Sequence, residues 1–499
     1  MSDEHFDVLV VGAGLSGVGA GYWLQKLCPH KSYVILEGRP RKGGTWDLFR
    51  YPGIRSDSDM FTLGYSFKPW TDPKAIADGP SILRYIDETA RENGIDRKIR
   101  YDQRVVAAAW STDDARWTVE VSRGPKGEAT RYTCNFLYMC SGYYRYESGY
   151  TPDFAGVENF RGRIVHPQAW PEDLDYAGKR VIVIGSGATA MTLVPEMAKT
   201  AAHVTMVQRS PTYVVARPSN DAVADWLRAK LPAKMAYWLV RWKNVLFGMY
   251  FYNLCKRRPD KVKAYLLKLV RAQLPDGYDI EKDFTPRYNP WDQRLCLITD
   301  GDLFAAIREK RASVATDTIA TFTEKGLRLG GGQEIEADVI VTATGLALQP
   351  LGGAKFTIDG APLDLGQRLN YKGMMFSDAP NLAATFGYTN ASWTLKADLI
   401  GEYVCRILNT MDQKGARIAV AHNDDPAMKI EPFVDFSSGY FQRALDQFPK
   451  QGMSKPWRLY QNYAKDLLSL RYGAVEDGAL RFSNPPAKVA AAREKADVA

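Results

Sequence analysis

Two glycine-rich turns, one near the start of the chain and one near its middle, constrain the fold more than any other feature of the sequence. Each follows an apolar run and precedes a helical pattern; their small residues are Gly12, Gly14 and Gly17 in the first turn and Gly185, Gly187 and Ala190 in the second. A strand, a glycine turn and a helix in this order place a dinucleotide diphosphate at the helix N-terminus, where free N–H groups and the helix dipole favour an anion. The sequence therefore predicts an α/β protein with two Rossmann-like dinucleotide-binding domains.

The first turn has the pattern of an FAD site. Gly12 permits the tight turn, Gly14 lets the diphosphate approach the backbone, and Gly17 lets the helix pack closely on the strand. The next strand ends at Glu37, 20 residues after Gly17, where a carboxylate can accept hydrogen bonds from both ribose hydroxyls. Because strand, turn, helix, second strand and acid follow in order, we favour an FAD site over a glycine turn without a ligand.

The second turn differs from the first at the end of its second strand. That strand, HVTMVQRS, ends in Gln208, Arg209 and Ser210, without a carboxylate that would repel a 2′-phosphate. An arginine at this position can bind the phosphate bidentately, which favours NADPH, although Arg209 could instead be a solvated charge at a strand end. The predicted NADPH contacts are Gly185, Ser186, Gly187, Ala188, Thr189, Ala190, Arg209 and Ser210.

The composition is typical of a globular protein of the reducing cytoplasm. Its 499 residues suggest two to four domains, and 45% of them are hydrophobic while 24% are charged. The six cysteines form no C-x-x-C pair, so we expect free thiols. We expect no export signal, no membrane span, no metal site and no nucleic-acid contact, because the corresponding apolar runs, histidine–cysteine clusters and motifs are not found in the sequence.

An FAD site and an NADPH site in one chain predict a flavoprotein that accepts a hydride from NADPH and passes electrons onward. A disulfide reductase would need a redox-active cysteine pair beside the flavin, and the sequence has no C-x-x-C. Dioxygen is therefore the acceptor that we expect.

The stretch FRGRIVHPQAWP indicates what happens to the oxygen. It holds F-x-G-x-x-x-H-x-x-x-W-P between the two glycine turns, formed by Phe160, Gly162, His166, Trp170 and Pro171. This fingerprint resembles that of the type I Baeyer–Villiger monooxygenases, within the class B flavoprotein monooxygenases, and its tryptophan favours them over the sister flavin-containing monooxygenases. Runs at 43–60, 289–297, 371–377 and 387–399 resemble one subgroup of the family, and the resemblance spans nearly the whole chain.

The resemblance implies a reaction and a set of substrates. NADPH reduces FAD, O2 adds to give a C4a-peroxyflavin, and a small-molecule ketone becomes an ester or lactone; sulfoxidation of a thioether is a plausible second activity. Two alternatives stay open: a flavin-containing monooxygenase that acts mainly on soft sulfur or nitrogen, and an electron-transfer flavoprotein that makes no oxygenated product. The particular ketone and the oligomeric state also stay open.

The resemblance further assigns residues around the flavin and the linker. Arg294 matches the family's active-site arginine, which would stabilise a peroxide anion, and Asp57 matches the aspartate that would orient it; a surface salt bridge is the alternative for Arg294. His166 would hold the linker between the two nucleotide domains rather than move protons, which overlaps with an ordinary buried histidine. Other expected FAD contacts are Gly43, Gly44, Thr45, Trp46, Asp47, Asp57, Thr389 and Asn390; Trp46 could equally be plain core.

Gln293 departs from the family pattern. Many relatives carry lysine before the active-site arginine, so Gln293 removes one positive charge near the NADP 2′-phosphate or the flavin. We therefore expect weaker selectivity for NADPH over NADH than in relatives with lysine.

The motifs divide the chain into five segments. We expect an FAD-binding domain formed by 1–142 and 349–499, an NADPH-binding domain formed by 143–218 and 287–348, and a helical insert at 219–286. In this insert, residues 221–272 hold twelve lysines and arginines but three aspartates, among many aromatic residues. The insert could contact an anionic membrane surface, or it could pack its aromatic residues internally and solvate its charges, which would then also attract anionic NADPH. The C-terminal run from residue 484 is expected to be frayed or loosely helical.

Overall fold

The computed structural model describes residues 3–486, so most of the C-terminal run that we expect to be frayed lies outside the described residues. The strands are β1 (Glu4–Val11), β2 (Tyr33–Leu36), β3 (Ile99–Arg100), β4 (Gln103–Ser111), β5 (Arg116–Arg123), β6 (Glu128–Met139), β7 (Arg163–Val165), β8 (Arg180–Ile184), β9 (His203–Gln208), β10 (Val214–Arg217), β11 (Cys296–Thr299), β12 (Ala312–Thr316), β13 (Ile319–Thr323), β14 (Gly326–Leu329), β15 (Glu334–Glu336), β16 (Val339–Thr342), β17 (Lys355–Ile358), β18 (Ala361–Pro362), β19 (Asn370–Tyr371), β20 (Met375–Phe376), β21 (Leu382–Ala384), β22 (Ile418–Ala421), β23 (Ile430–Pro432), β24 (Lys450–Gly452) and β25 (Leu480–Ser483). The α-helices are α1 (Leu15–Leu27), α2 (Thr45–Leu48), α3 (Met60–Leu63), α4 (Gly79–Glu92), α5 (Ala188–Met197), α6 (Ala222–Lys230), α7 (Ala233–Arg257), α8 (Pro259–Arg271), α9 (Ile280–Asp283), α10 (Asp302–Arg308), α11 (Trp393–Lys414), α12 (Gly439–Gln442) and α13 (Tyr463–Asp466). A π-helical segment follows at Leu467–Tyr472.

The larger sheet has 11 strands and is built from an early and a late part of the chain. Its parallel centre contains β6, β1, β2 and β3. Residues 8–11 of β1 and all of β2 are buried, because α1 and α11 cover one face of the sheet and β4, β5 and late parts of the chain cover the other. Strand β5 extends the sheet by antiparallel pairing with β6, and β4 pairs antiparallel with β5. The late strands β17 and β21 then pair with β4 and β6, respectively. The larger sheet is therefore completed only after the chain has formed the second sheet.

The second sheet has five strands, all parallel, in the order β12–β9–β8–β16–β7. Strand β8 (RVIVI) is buried after its first residue, as expected for a strand covered on both faces. Helix α5 follows it across the second glycine turn, as α1 follows β1 across the first. The predicted α/β class with two Rossmann-like units is confirmed.

Two connections join the sheets and run side by side. One leads from β6 to β7 and the other from β16 to β17. The backbone N–H of Arg145 donates to the carbonyl of Ala347 at 2.9 Å, and that of Tyr150 donates to the carbonyl of Gly345 at 3.1 Å. The boundaries that we propose between the two domains fall in these paired connections, and the division itself remains a proposal.

The helical segment α6–α9 lies between β10 and β11, which pair with each other in a separate two-stranded sheet. Its helix α7 nevertheless packs on the helices of the first sheet. Arg241, only 2% exposed, donates from Nη1 to the carbonyl oxygens of Phe61 and Gly64 at 2.7 and 2.8 Å. Tyr237 and Val240 of the same helix are buried in the core that contains α1 and α11. The sequence did not predict this packing, because the partners lie some 180 positions earlier in the chain.

The cysteines agree with the expectation of free thiols. All six cysteines are buried and free, as predicted. Across residues 3–486, no helix combines the length and apolarity that a bilayer crossing would need.

Candidate active site

One cavity of 1070 Å³ lies where the carboxyl ends of the parallel strands of the two sheets meet. Both glycine turns line it, the first through Gly12 and Gly14 and the second through Gly185 and Gly187. Parallel α/β sheets bind ligands at this edge. The other predicted residues that line the cavity are Glu37, Gly43, Gly44, Thr45, Trp46, Asp57, Ser186, Ala188, Thr189, Arg209, Ser210, Gln293 and Arg294.

The first glycine turn is tightly enclosed. Gly12 has a φ of +102°, and a Cβ added there would lie 2.6 Å from the carbonyl oxygen of Cys140. A Cβ on Gly17 would lie 1.8 Å from the carbonyl oxygen of Gly12, so this glycine allows the close packing of α1 on β1. Gly14 faces Gly44, and a Cβ on Gly14 would approach the Gly44 Cα to 3.4 Å. Two glycine backbones therefore form a narrow cradle that fits a diphosphate.

Glu37 lies at the end of β2 and is fixed to the turn. Its Oε2 accepts the N–H of Ala13 at 2.7 Å, and its Oε1 accepts the N–H of Arg39 at 3.0 Å. Burial raises the pKa of Glu37, and the two backbone donors and the Arg39 charge oppose this rise. Each carboxylate oxygen has a second lone pair, so the group can still accept from ribose hydroxyls in the cavity.

Asp47 does not line the cavity, unlike its neighbours Gly44, Thr45 and Trp46. It is 3% exposed and pairs with three arginines: Arg39 at 2.7 Å, Arg50 at 3.1 Å and Arg41 at 3.3 Å. A buried carboxylate needs such partners. In this geometry Asp47 therefore supports the loop that borders the cavity, while a direct FAD contact stays a prediction.

The second glycine turn is open. Gly185 has a φ of +135°, and a Cβ there would meet the carbonyl oxygen of Ala343 at 2.3 Å, but a Cβ on Gly187 would have no neighbour within 4 Å. Ala190 is fully buried and packs α5 against the sheet instead of lining the cavity. The N-terminus of α5 therefore faces free space that fits a second dinucleotide.

Arg209 and Ser210 follow β9 at the edge of the open turn. The hydroxyl of Ser186 donates to the carbonyl of Ser210 at 3.0 Å, which ties the turn to the strand end. The Arg209 side chain is exposed and, among the described residues, has no carboxylate partner. An unpaired guanidinium beside a helix N-terminus suits a phosphate.

Arg294 and Asp57 meet in the cavity although 237 positions separate them. Arg294 lies just before β11 and Asp57 just before α3; Nη1 donates to Oδ2 at 3.2 Å. Both side chains are partly open to the cavity, at 36% and 38% exposure. Burial lowers the pKa of Arg294, but the Asp57 carboxylate and nearby phenols more than offset this, so its pKa is raised and the cation is permanent.

Three tyrosines surround this ion pair. Tyr143, Tyr144 and Tyr440 line the same cavity, and the hydroxyls of Tyr143 and Tyr144 are 3.3 Å apart. Burial raises the pKa of Tyr144 and of Tyr440 well above the ordinary value of a phenol. The phenols of Tyr144 and Tyr440 are therefore neutral, and Asp57 supplies the negative charge beside Arg294.

The fingerprint residues lie at the paired connections and not in the cavity. His166 accepts the N–H of Gln168 on Nδ1 at 3.2 Å, and its ring packs so closely on Gly149 that a Cβ there would lie 1.9 Å from the ring. Burial lowers the pKa of His166, against the opposing effect of the Gly345 and Tyr150 backbone.

The other fingerprint residues pack around the same connection. A Cβ on Gly162 would meet the carbonyl oxygen of Asp338 at 2.4 Å. Phe160 is buried in the core beneath β8 and β16, and Trp170, with Pro171 after it, packs partly buried on the other core of the second sheet. All five fingerprint residues thus pack at or near the paired connections between the two sheets. This packing agrees with our interpretation that His166 holds the linker, and that role remains a prediction.

Thr389 and Asn390 lie beside the cavity but do not line it; Tyr388 and Trp393 do. The Thr389 N–H donates to Oε1 of Gln461 at 3.0 Å, and Asn390 Nδ2 donates to the Gln461 carbonyl at 3.0 Å. The turn before α11 is thus held by a residue about 70 positions later. A direct FAD contact of Thr389 or Asn390 stays a prediction.

Sequence reasoning missed several cavity residues. Tyr143 and Tyr144 directly follow the apolar run that ends in Ser141–Gly142, and a residue just past a parallel strand lies at the ligand edge, so their position was a usable signal. Tyr440 and Arg443 had no such signal, because they come from the short helix α12 and its C-cap, far along the chain and away from any predicted strand end.

Two family models match the chain. The model described as flavin-binding monooxygenase-like matches residues 66–267, and the model described as NAD(P)-binding Rossmann-like domain matches residues 10–72. The second of these covers the first glycine turn and Asp57.

Relatives match along the whole length. The FAD-containing monooxygenase EthA of Mycobacterium tuberculosis is 55% identical over 487 residues, which cover 97% of this chain and 99% of EthA. The putative FAD-containing monooxygenase MymA of the same species is 50% identical over 486 residues, 96% of this chain and 98% of MymA. Among solved structures, an oxidized steroid monooxygenase bound to NADP superposes with a TM-score of 0.75 at 22% identity, over 96% of this chain and all of the other.

Proposed function

The chain belongs to the family of FAD-containing monooxygenases, and from this premise we propose that it inserts one oxygen atom of O2 beside the carbonyl of a ketone to give an ester or lactone. It is an NADPH-dependent flavoprotein monooxygenase with FAD and NADPH as cofactors. The observation that carries the proposal is the Arg294–Asp57 ion pair, at 3.2 Å, in the cavity that both glycine turns line.

The chain's own residues would hold the two cofactors in opposite halves of the cavity. The Gly14–Gly44 cradle and Glu37 suit FAD, while Ser186, Gly187 and Arg209 suit NADPH. Bound FAD supplies hydride acceptance and oxygen activation, which protein side chains cannot provide.

Arg294 would stabilise negative charge that develops on oxygen. A fixed guanidinium in a partly desolvated cavity is more effective than one in water, because it needs no reorganisation. Asp57 would orient that guanidinium through its hydrogen bond. The rings of Tyr143, Tyr144 and Tyr440 would exclude water, and the neutral phenols of Tyr144 and Tyr440 would not compete for the cation.

Product analysis with purified holoenzyme, NADPH and O2 tests the proposal. We expect ester or lactone from a panel of linear, cyclic and aryl ketones, and a roughly 100-fold loss of product in Arg294→Ala. Arg328→Ala, at an exposed arginine on β14, is the matched control and should keep full product formation. NADPH consumption that does not respond to any ketone would contradict the proposal.

Thioethers in the same panel address the second activity. We propose sulfoxidation as a secondary reaction, since the same cavity would admit an apolar thioether. If thioethers or amines are oxygenated while no ketone is converted, the enzyme is a sulfur or nitrogen oxygenase. If no product contains new oxygen, it is an electron-transfer flavoprotein.

The proposal also includes peripheral contact between residues 219–286 and a membrane. Its support is the accumulation of positive charge and exposed aromatic residues in that segment.

A further inference from the structure

Helix α7 carries a ridge of exposed apolar side chains. We call the following four residues the α7 ridge: Met235, Leu239, Leu246 and Tyr250, which are 52%, 48%, 56% and 65% exposed. Their spacings of four, seven and four residues put them on one side of the helix, within an arc of about 60° and over a length of about 22 Å. Contiguous apolar surface of this kind marks an interaction site.

The ridge belongs to an unusually apolar part of the surface. Among residues 3–486, nine of the sixteen large hydrophobic side chains that are exposed fall between positions 223 and 269. Trp226 on α6 and Tyr265 on α8 are among them, at 62% and 57% exposure. Scattered single residues would need no explanation, but this concentration does.

Free positive charges accompany the exposed apolar residues. Six exposed lysines and arginines of α6–α8 have no ion-pair or side-chain hydrogen-bond partner among the described residues: Lys230, Lys234, Arg257, Arg258, Lys261 and Lys268. Lys234 precedes the first ridge residue, and Arg257 lies seven residues after the last, on the same line of the helix. Of the three acids among residues 221–272, Asp221 is already paired with Lys243.

We propose that the α7 ridge rests on an anionic lipid bilayer, with its apolar side chains in the headgroup boundary and the flanking cations on lipid phosphates. Long basic side chains can extend from such a depth to the polar surface, and tyrosine is favoured at that boundary. A second copy of the chain is the other candidate, but it would bring two strongly positive surfaces together. Charge complementarity therefore favours the anionic bilayer.

The opposite face of α7 ties the ridge to the active site. Arg241 holds the Phe61 and Gly64 carbonyls, and Asn244 Nδ2 donates to Oδ1 of Asp59 at 2.9 Å, two residues from Asp57. A bilayer under the ridge would thus lie on the far side of the helix that supports the Asp57 segment. Docking there would let the enzyme take up apolar ketones dissolved in the bilayer, and this last step rests on the proposed function.

Vesicle co-sedimentation of the holoenzyme tests the docking surface independently of any activity. The vesicles contain either phosphatidylcholine alone or phosphatidylcholine mixed with phosphatidylglycerol, at low and high salt. We expect binding to the anionic vesicles at low salt only. Leu239→Ser combined with Leu246→Ser should weaken binding by roughly tenfold, and Arg257→Ala, Arg258→Ala and Lys261→Ala together by roughly 100-fold.

Matched controls separate the ridge from general surface effects. Ile430→Ser removes an apolar residue that is 54% exposed on β23, and Lys126→Ala removes an exposed cation outside the helical segment; neither should change vesicle binding. All variants should keep the product formation of the parent with a water-soluble ketone, since none lines the cavity. Thermal melting confirms that each variant is folded.

Three results would overturn the inference. They are no binding to anionic vesicles at low salt, binding that survives both the ridge and the cation variants, and a dimer in light scattering that the ridge variant converts to monomer. The last result would assign the ridge to a second copy of the chain. Failure of ketone oxygenation would leave the vesicle result standing, so the two proposals can fail separately.

Discussion

The two glycine turns share one plan, strand, turn and helix, yet they differ in how deeply they are buried. Around the first turn, Ala13 and Ser16 are buried and Gly44 lies across from Gly14. In the second turn, Gly187 and Ala188 are exposed, and a Cβ on Gly187 would meet nothing within 4 Å. One turn is enclosed by its own chain and the other faces open space.

The difference suits two cofactors with different lifetimes on the enzyme. FAD, which we propose to bind at the first turn, must stay bound while it is reduced and reoxidised, and an enclosed cradle with a buried carboxylate would slow its release. NADPH, which we propose to bind at the second turn, must arrive and NADP must leave in each cycle, so that turn needs access to solvent. In this proposal the shared strand–turn–helix plan sets the chemistry of binding, and the surrounding packing sets the rate of exchange.

The equivalent substitutions Gly14→Ala and Gly187→Ala should give the largest contrast. In the first turn the new methyl group would fill the cradle opposite Gly44, so we expect at least a tenfold weaker hold on FAD. In the second turn the backbone is extended and the space is free, so the fold and the FAD content should be unchanged while the KM for NADPH rises. Flavin absorbance per chain after gel filtration measures the first effect, and steady-state kinetics the second.

Equal loss of FAD in both variants would show that burial does not separate the two sites. Gly248→Ala is the control: this glycine lies within α7, has an ordinary φ and has no neighbour within 4 Å of an added Cβ. It should leave both FAD content and the KM for NADPH unchanged.

The same contrast explains how much the sequence could predict. Both turns, their strands and the residues that touch them follow from local order, so the fold class and the turn contacts could be derived from short segments. Asp47 was different: the resemblance assigned its loop to the flavin, and in the structure three nearby arginines pair with its carboxylate. Local sequence did not indicate which way this carboxylate points.

Contacts between distant segments were beyond local sequence. Asp57 and Arg294 were paired through family resemblance, since 237 positions separate them, and no periodic pattern connects them. Gln461, which holds the turn at Thr389, and Tyr440, which borders the ion pair, come from the late part of the chain that returns to the first sheet. Such neighbours are decided by the order of strands in the sheets.

Arg209→Ala tests whether the open second turn recognises the 2′-phosphate of NADPH. Loss of a bidentate partner for the 2′-phosphate is expected to raise the KM for NADPH by about 10- to 100-fold, while the KM for NADH stays the same because NADH has no such phosphate. Arg131→Ala, at an exposed arginine of β6, is the control. Parallel changes for both coenzymes would mean that Arg209 acts on the fold of the turn and not on the phosphate.

Gln293→Lys should have a smaller effect in the opposite direction. Gln293 lines the cavity beside Arg294, and a lysine there would add one charge near the coenzyme. We expect the KM for NADPH to fall by roughly two- to fivefold at low ionic strength and to return toward the parent value at high salt, because a partly exposed charge is screened. Gln293→Met, which adds no charge, should show no salt-dependent gain; a gain there would assign the effect to packing.

The smallest expected effect concerns His166, which lies at the paired connections between the sheet with the enclosed turn and the sheet with the open turn. Burial lowers the pKa of His166, so the unfolded chain takes up its proton at a higher pH than the folded chain does. The folded state is therefore at full stability above about pH 6.5 and loses stability as the pH falls below that value. His166→Gln should reduce this loss, so the difference between the melting temperatures at pH 7.5 and 5.5 should be smaller in the variant than in the parent. An unchanged difference in His166→Gln would mean that the imidazole titrates alike in the folded and unfolded chain, and a larger difference would mean that folding raises its pKa; either result would contradict the prediction.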